Sequence, residues 1–398
     1  MSDSPPLQSR NRMNSGHNAP PMRLAVILPD LGGGGTERMR LNLIEEWRNC
    51  GVQIDLVLGR NTGSLSHLVP DGTTIFEVAR RHKLLFPFGL AAYLLRNKPT
   101  HVLSAPTDVS VIALLLGIIF RGKIRIIVSV HDHFSTEYSS ATGIRRLKVR
   151  VSHFLFKILI RSAHALVAVS EGVANDLRHR LQNKHPPVSV ILNPTITRKT
   201  HALMQSTFIN PYVLEGTPYI LFAGRLTPQK APDLLVEAFS AIANKTQAHL
   251  VLIGEGELSA TIQAAANVHG ISDRVHLAGF QQNPLPWMQK AALLVLPSRH
   301  EGLPNVLIEC LACGTQVIST NCPSGPDEIL AGGRFGQLVP VGDVAALASA
   351  MLRSLNNEFH VEPEALRARA AHFNASRAAN AYLTCIRGGS MPDRTESY

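Results

Sequence analysis

The chain has 398 residues, 45% of them apolar and 17% charged, which is enough for two ordinary domains with cores of their own and excludes wholesale disorder. Its five cysteines are too few, and odd in number, for a disulfide scaffold, and they fit a reducing compartment. The net charge of +10 is lopsided: residues 1–210 carry 26 Lys+Arg against 13 Asp+Glu, and residues 211–398 carry 13 against 16, so the first half is expected to face something anionic, a nucleic acid or an acidic membrane surface.

Residues 1–22, MSDSPPLQSRNRMNSGHNAPPM, are polar and rich in Pro, Asn and Ser. They hold no apolar stretch of the signal-peptide kind and read as a disordered tail. Arg23–Pro29, Gln53–Gly59, His101–Ser104, Ile124–Val130, Ala165–Ser170 and Val188–Leu192 then read as buried parallel strands, with helical patterns such as Thr36–Cys50 and Glu171–Leu181 between them. A Pro/Thr/Asn-rich segment, Asn193–Pro218, interrupts the alternation. It begins afresh with Tyr219–Gly224, His249–Gly254, Arg274–Phe280, Leu293–Ser298, Gln316–Thr320 and Gly336–Pro340, and Val344–Gly388 reads as helices only. The expected architecture is α/β, with two doubly wound Rossmann-like domains (23–200 and 201–373) facing across a cleft at the C-terminal edges of their sheets, where open α/β sheets bind ligands. The longest apolar run, Val109–Phe120, is 12 residues, short of the roughly 20 that span a bilayer. Lys157 and Arg161 interrupt the next one, so no transmembrane helix is expected.

The chemistry concentrates in SRHEGLPNVLIECLACGTQVIST, Ser298–Thr320. A strand runs into a loop, Pro304 suits the first turn of a helix, and Gly314 suits its left-handed cap. The free N–H groups of Gly302–Asn305 at this helix start favour a phosphate. Glu309, one turn deeper, suits the vicinal hydroxyls of a ribose. Glu301, in the loop containing Gly302 and Leu303, reaches the far side of the phosphates. Either glutamate alone reads as a solvated charge; the pair with its Pro and helix start is more specific. Arg225 and Lys230, in the loop after a strand, can neutralise a diphosphate, or be ordinary surface charge. Gly32, Gly33, Gly34 and Gly35 let bare backbone approach a phosphate. They fail the dinucleotide fingerprint, because Glu37 or Arg38 stands where its third glycine belongs, and otherwise read as a tight turn. His131, in SVHDHF, can donate to a sugar hydroxyl or meet a developing charge; a simple loop histidine and a metal site with Asp132 and His133 are its other readings. Cys310 and Cys313 form a C-x-x-C without a second pair and read as packing residues.

Together these residues resemble the retaining glycosyltransferases of GT-B type, family four, whose E-G-x-P-x-x-x-x-E signature is matched by Glu301, Gly302, Pro304 and Glu309. GRLTPQK, LVLIGEGEL, CPSGPDEIL, GGGGTE and VAVSEGVANDL carry the likeness along nearly the whole chain. The resemblance implies that Arg225 and Lys230 hold the donor diphosphate, Glu309 the ribose, and Glu301 with the Gly302–Asn305 backbone the sugar and phosphate. It places His131 against the donor sugar and Gly32–Gly35 at phosphate or acceptor. Residues 374–398 would hold a helix that crosses back onto the first domain. His131 and Glu301 are the implied catalytic residues, with no metal and no cofactor. Retention would come from same-face attack or from a covalent intermediate on Glu301.

Helical spacing places Leu147, Val151, Phe154, Leu155 and Ile158 on one face of residues 143–161, among Arg145, Arg146, Lys148, Arg150, Lys157 and Arg161. This is either a basic amphipathic helix for anionic lipid or a core-packing helix with a solvated basic face. Arg80–Leu90 adds a second basic-apolar patch. The favoured reading is a cytoplasmic enzyme, peripheral on the inner face of the plasma membrane, that moves a sugar from a nucleotide-sugar donor, UDP-hexose or UDP-N-acetylhexosamine, to a lipid-linked or glycan acceptor in cell-surface polysaccharide synthesis. A sugar-nucleotide 2-epimerase and a silent sugar-nucleotide binder are the alternatives. With only 6% aromatic residues, nucleic acid is not an expected partner.

Overall fold

The computed structural model of the protein describes residues 22–389 except positions 33, 81, 106, 134–142 and 183–184; the expected tail over 1–21, Gly33 and the side chain of Arg145 lie outside what is described. Seven strands, β1 (Arg23–Leu28), β2 (Gln53–Leu58), β3 (Thr74–Glu77), β4 (His101–Ser104), β5 (Arg125–Val130), β6 (Ala165–Ala168) and β7 (Val188–Val190), form one sheet in the order β3-β2-β1-β4-β5-β6-β7. Six more, β8 (Tyr219–Ala223), β9 (His249–Ile253), β10 (Val275–Gly279), β11 (Leu293–Leu296), β12 (Gln316–Thr320) and β13 (Gln337–Val339), form a second in the order β10-β9-β8-β11-β12-β13. Every pairing is parallel. The two-domain α/β architecture is thus as expected, each sheet reversing its strand order beside its first strand.

The central strands read as unbroken apolar runs because both faces are covered: Leu24 to Leu28 are all wholly buried. The strand the sequence did not reveal is β3, a four-residue edge strand paired only to β2. Its residues are mostly exposed, so nothing selects the apolar pattern by which buried strands are recognised.

The chain passes between the domains twice, side by side. Thr195 and Ile196 donate their N–H groups to the Phe373 carbonyl at 3.1 and 3.0 Å, and Ala375 N–H returns a 2.8 Å bond to Ile196. The helix Ala375–Ile386 then lies on the helix Gly35–Asn49 of the first domain. Trp47 Nε1 donates to the Ala379 carbonyl at 2.9 Å, and the Trp47 and Tyr382 rings meet edge-on at 5.9 Å. Tyr382, Leu383 and Ile386 share a core with Leu24, Val26 and Leu28.

On the helix Gly143–Leu159 the outward and inward faces are the reverse of a core-packing arrangement. Phe156, with Ile160 just beyond, is buried, whereas Leu147 and Phe154 are each 64% exposed and Val151, Leu155 and Ile158 are exposed as well. Among the described residues no helix is long and apolar enough to cross a membrane.

Candidate active site

The second domain supplies one wall from two loops that follow β8 and β11. Arg299 N–H donates to the Gln229 carbonyl (2.8 Å), and Gln229 Nε2 donates to the His300 carbonyl (3.1 Å). This stitching brings Lys230 Nζ to 2.6 Å from Glu301 Oε1, with the side chains only 16% and 7% exposed. Ser324 Oγ fixes the Glu301 carbonyl from a third loop at 2.7 Å. Arg225, by contrast, is exposed, and its side-chain hydrogen bond to Gln229 Oε1 is long at 3.4 Å. One cation of the pair is therefore committed to a carboxylate and the other is open to the cleft.

The helix Asn305–Cys313 starts at this wall. Pro304 is its extended N-cap residue rather than part of its first turn, no side chain caps it, and Gly314 closes it at φ +77°. Its first amides have no intrahelical partner and point out of the helix start. One turn deeper, half-buried Glu309 has no hydrogen-bond partner among the described residues. Burial pushes its carboxyl up and the nearby Arg38 guanidinium opposes that shift. The Asn305 side chain ties the domains together, Oδ1 accepting from Asn193 Nδ2 (2.7 Å) and Thr195 Oγ1 (3.2 Å), while its backbone N–H stands at the helix start.

The first domain closes on that loop. Gly302 has no room for a side chain, because a Cβ there would lie 1.7 Å from the His131 carbonyl oxygen. Leu303 O accepts from Asn193 Nδ2 at 3.0 Å. The N-terminus of the helix Glu171–Leu181 docks on the second domain, Glu171 N–H lying 2.9 Å from both carboxylate oxygens of Glu328. The described part of the glycine loop faces the same place: a Cβ on Gly35 would sit 3.3 Å from Asn305 Nδ2. Just beyond it, Glu37 is pushed up by burial and drawn down by Arg225 across the cleft. Arg38 reaches the Gln282 carbonyl at 3.3 Å.

His131 is partly buried at the end of β5, and its Nε2 lies 3.1 Å from Arg40 Nη2 and 2.9 Å from Ser129 Oγ. Ser129 Oγ is in turn 2.9 Å from the Tyr382 hydroxyl of the last helix. Burial, then the Arg40 charge, hold the His131 imidazole well below the usual histidine range. It does not join Asp132 and His133 in a metal site: among the described residues no cluster of three or more His, Cys, Asp or Glu is placed to hold a metal, and His133 lies 3.4 Å from Asp176. Cys310 and Cys313 are buried packing residues.

Arg40, Ser129, Tyr382, Asn193, Thr195 and Ser324 were not legible as site residues. Arg40 carried a faint signal, an arginine between Met39 and Leu41 on the buried stripe of a helix. The others come from distant segments that only the tertiary fold brings together.

The family model described as Glycosyltransferase Family 4 matches residues 33–199, and the one described as Glycosyl transferases group 1 matches residues 217–357, between them covering most of both domains. The chain belongs to the group 1 glycosyltransferases. This glycosyltransferase is 25% identical to the N-acetylgalactosamine-N,N'-diacetylbacillosaminyl-diphospho-undecaprenol 4-alpha-N-acetylgalactosaminyltransferase of Campylobacter jejuni, over 84% of this chain and 91% of that one. It is 30% identical to the lipopolysaccharide core biosynthesis glycosyltransferase LpsE of Rhizobium meliloti, over 54% of this chain and 59% of that one. Its GT-B fold is that of Anabaena HepE in complex with UDP-glucose, with a TM-score of 0.73 at 16% identity over 92% of this chain and 100% of that one.

Proposed function

We propose that this glycosyltransferase moves a hexose or N-acetylhexosamine from a UDP-sugar, with retention, to a lipid-linked saccharide at an anionic membrane surface during cell-surface polysaccharide synthesis. The observation that carries the donor half is the juxtaposition at one wall of the cleft: open amides at a helix start, Lys230 paired to Glu301 at 2.6 Å, and an unpartnered Glu309 one turn below. Cleavage of the anomeric bond leaves positive charge on the sugar ring and negative charge on the diphosphate. The helix start, Arg225 and Lys230 stabilise the diphosphate without any cation in addition, Glu309 takes the ribose hydroxyls, and Glu301 and His131 flank the sugar. The Lys230 ammonium lies 2.6 Å from Glu301 Oε1, a contact that blunts the carboxylate as a nucleophile. This favours same-face attack, with the leaving phosphate taking the acceptor's proton.

The acceptor half rests on the outward-facing Leu147, Val151, Phe154 and Ile158, with exposed Arg146, Lys148, Arg150 and Lys157 among them. Leu84 and Phe88 of the second patch are 77% and 74% exposed as well. Apolar side chains ringed by cations suit an anionic bilayer, and the Campylobacter and Rhizobium relatives, by name an undecaprenol-diphosphate transferase and a lipopolysaccharide-core enzyme, are of that acceptor type.

The test is a panel of radiolabelled UDP-sugars with a bacterial lipid extract. Label entering the lipid phase supports the transferase, with Glu309→Ala lowering turnover at least about a hundredfold. Conversion of the nucleotide sugar without an acceptor supports an epimerase instead, and donor binding with neither reaction supports a silent binder. Sedimentation with vesicles of anionic phospholipid, lost in Leu147→Ser/Phe154→Ser, tests the membrane face; equal binding by wild type and variant overturns that part.

A further inference from the structure

Arg40 is wholly buried on the helix Gly35–Asn49, yet among the described residues no carboxylate lies within ion-pair distance of it. Its Nε and Nη1 have no hydrogen-bond partner, its guanidinium sits 5.6 Å from the centre of the Tyr382 ring, and its one polar contact is Nη2 to His131 Nε2 at 3.1 Å. A buried guanidinium without an acidic partner is costly, and an apolar side chain would suit the stripe of Met39, Leu43 and Trp47 better. What the guanidinium provides there is direction. Arginine can only donate a hydrogen bond, so the nitrogen facing it must carry a lone pair. Nε2 is therefore the acceptor and the imidazole proton is on Nδ1, which has no hydrogen-bond partner among the described residues. Ser129 braces the same Nε2 and is itself held by Tyr382.

We propose that Arg40 is a positioning residue of the transfer reaction, which fixes His131 as the Nδ1–H tautomer and, with Ser129 and Tyr382, holds that N–H toward the donor sugar. This rests on the reading that His131 meets the sugar. A neutral N–H can bond a sugar hydroxyl without setting a cation beside a ring that turns positive in the transition state. The charged or titratable groups nearest His131 are Asp132 beside it in the chain, the Lys230–Glu301 pair beyond Gly302, the His133–Asp176 contact, and Tyr382 through Ser129. Glu37 and Arg38 lie on the same helix as Arg40, and both face the second domain.

The experiment uses the full chain with 15N-labelled histidine, the His131 signals being assigned by their loss in His131→Gln. In the wild type, long-range proton–nitrogen spectra are expected to show the Nδ1–H tautomer with no titration between pH 8 and 5. Arg40→Met is expected to release the tautomer, to raise the proton affinity of the His131 ring, which burial still holds below the ordinary histidine range, and to lower kcat about 10- to 100-fold with little change in the KM for donor. A new acid limb should appear in the kcat profile. Arg40→Lys, which still only donates, should keep the tautomer. If Arg40→Met does not fold, Arg40→Gln, whose amide can also accept, takes its place. Arg40→Met or Arg40→Gln with the tautomer and flat pH profile of the wild type overturns the proposal. A variant whose tautomer is released while kcat stays unchanged leaves Arg40 controlling the ring and overturns instead the placement of His131 against the sugar.

Discussion

Replacing Lys230 with Met should cost stability by an amount the structure bounds from both sides. The Nζ to Oε1 distance is 2.6 Å and the two side chains are 16% and 7% exposed, so solvent screens the pair little. At an effective dielectric of about 20 their attraction is roughly 6 kcal/mol, much of it offset by the dehydration of both ions. Removing one partner of a buried pair costs about 3–5 kcal/mol because the other is left charged and unpaired. The expected loss in Lys230→Met is therefore about 3–4 kcal/mol. Urea unfolding followed by tryptophan fluorescence reads this directly, since Trp287 reports on the second domain and Trp47 on the first. Lys230→Met/Glu301→Gln should recover most of the stability while remaining inactive, because the proposed diphosphate contact is still gone. If Lys230→Met is as stable as the wild type, or the double variant is no more stable than the single one, the account of a charge pair sealed into the cleft wall is wrong.

Other outcomes are equally specific. Gly302→Ala places a methyl group where the His131 carbonyl stands, so the walls must part by about an ångström; turnover should fall about 100-fold while each domain's melting temperature changes little, and an unchanged rate would show that the closed contact is unnecessary. His101, at the foot of β4, is pushed down to about 4 by burial, then by Arg125 and His164. Its contribution is fully present above the ordinary histidine value of about 6.5 and is lost as the pH falls toward 4, on the order of 2 kcal/mol by pH 5. A His101→Asn variant should therefore lose less stability between pH 7 and pH 5 than the wild type, and equal losses would refute this assignment.

Most of the fold was legible because parallel strands covered on both faces write themselves as apolar runs; β3, half exposed and paired on one side, does not. The residues of the second domain's cleft wall were legible because Arg225, Lys230 and Glu301 follow strand ends in short loops and Glu309 lies in the helix that comes next, where local spacing fixes position. What spacing cannot say is that Lys230 and Glu301, 71 residues apart, would contact each other, or that Asn305 Oδ1 would accept from Asn193. The same holds for the residue that orients His131: Arg40 is 91 residues away, and Ser129 is tied to Tyr382 across 253. The helix Gly143–Leu159 shows the converse limit. Periodicity identifies an apolar stripe, but which side of the stripe meets the core depends on neighbours that the stripe itself does not encode.

The return of the last helix onto the first domain has a consequence for biosynthesis. Trp47, Leu24 and Val26 emerge early from the ribosome, but Tyr382, Leu383 and Ile386, which complete their shared core, emerge some 340 residues later. The core begun first is thus the one finished last, and the nascent amino-terminal half must keep an apolar groove shielded until residues 375–386 have been made. Vectorial synthesis and the order of maturation run in opposite directions, and a ribosome that stalls before residue 375 would release a chain with that groove unfilled.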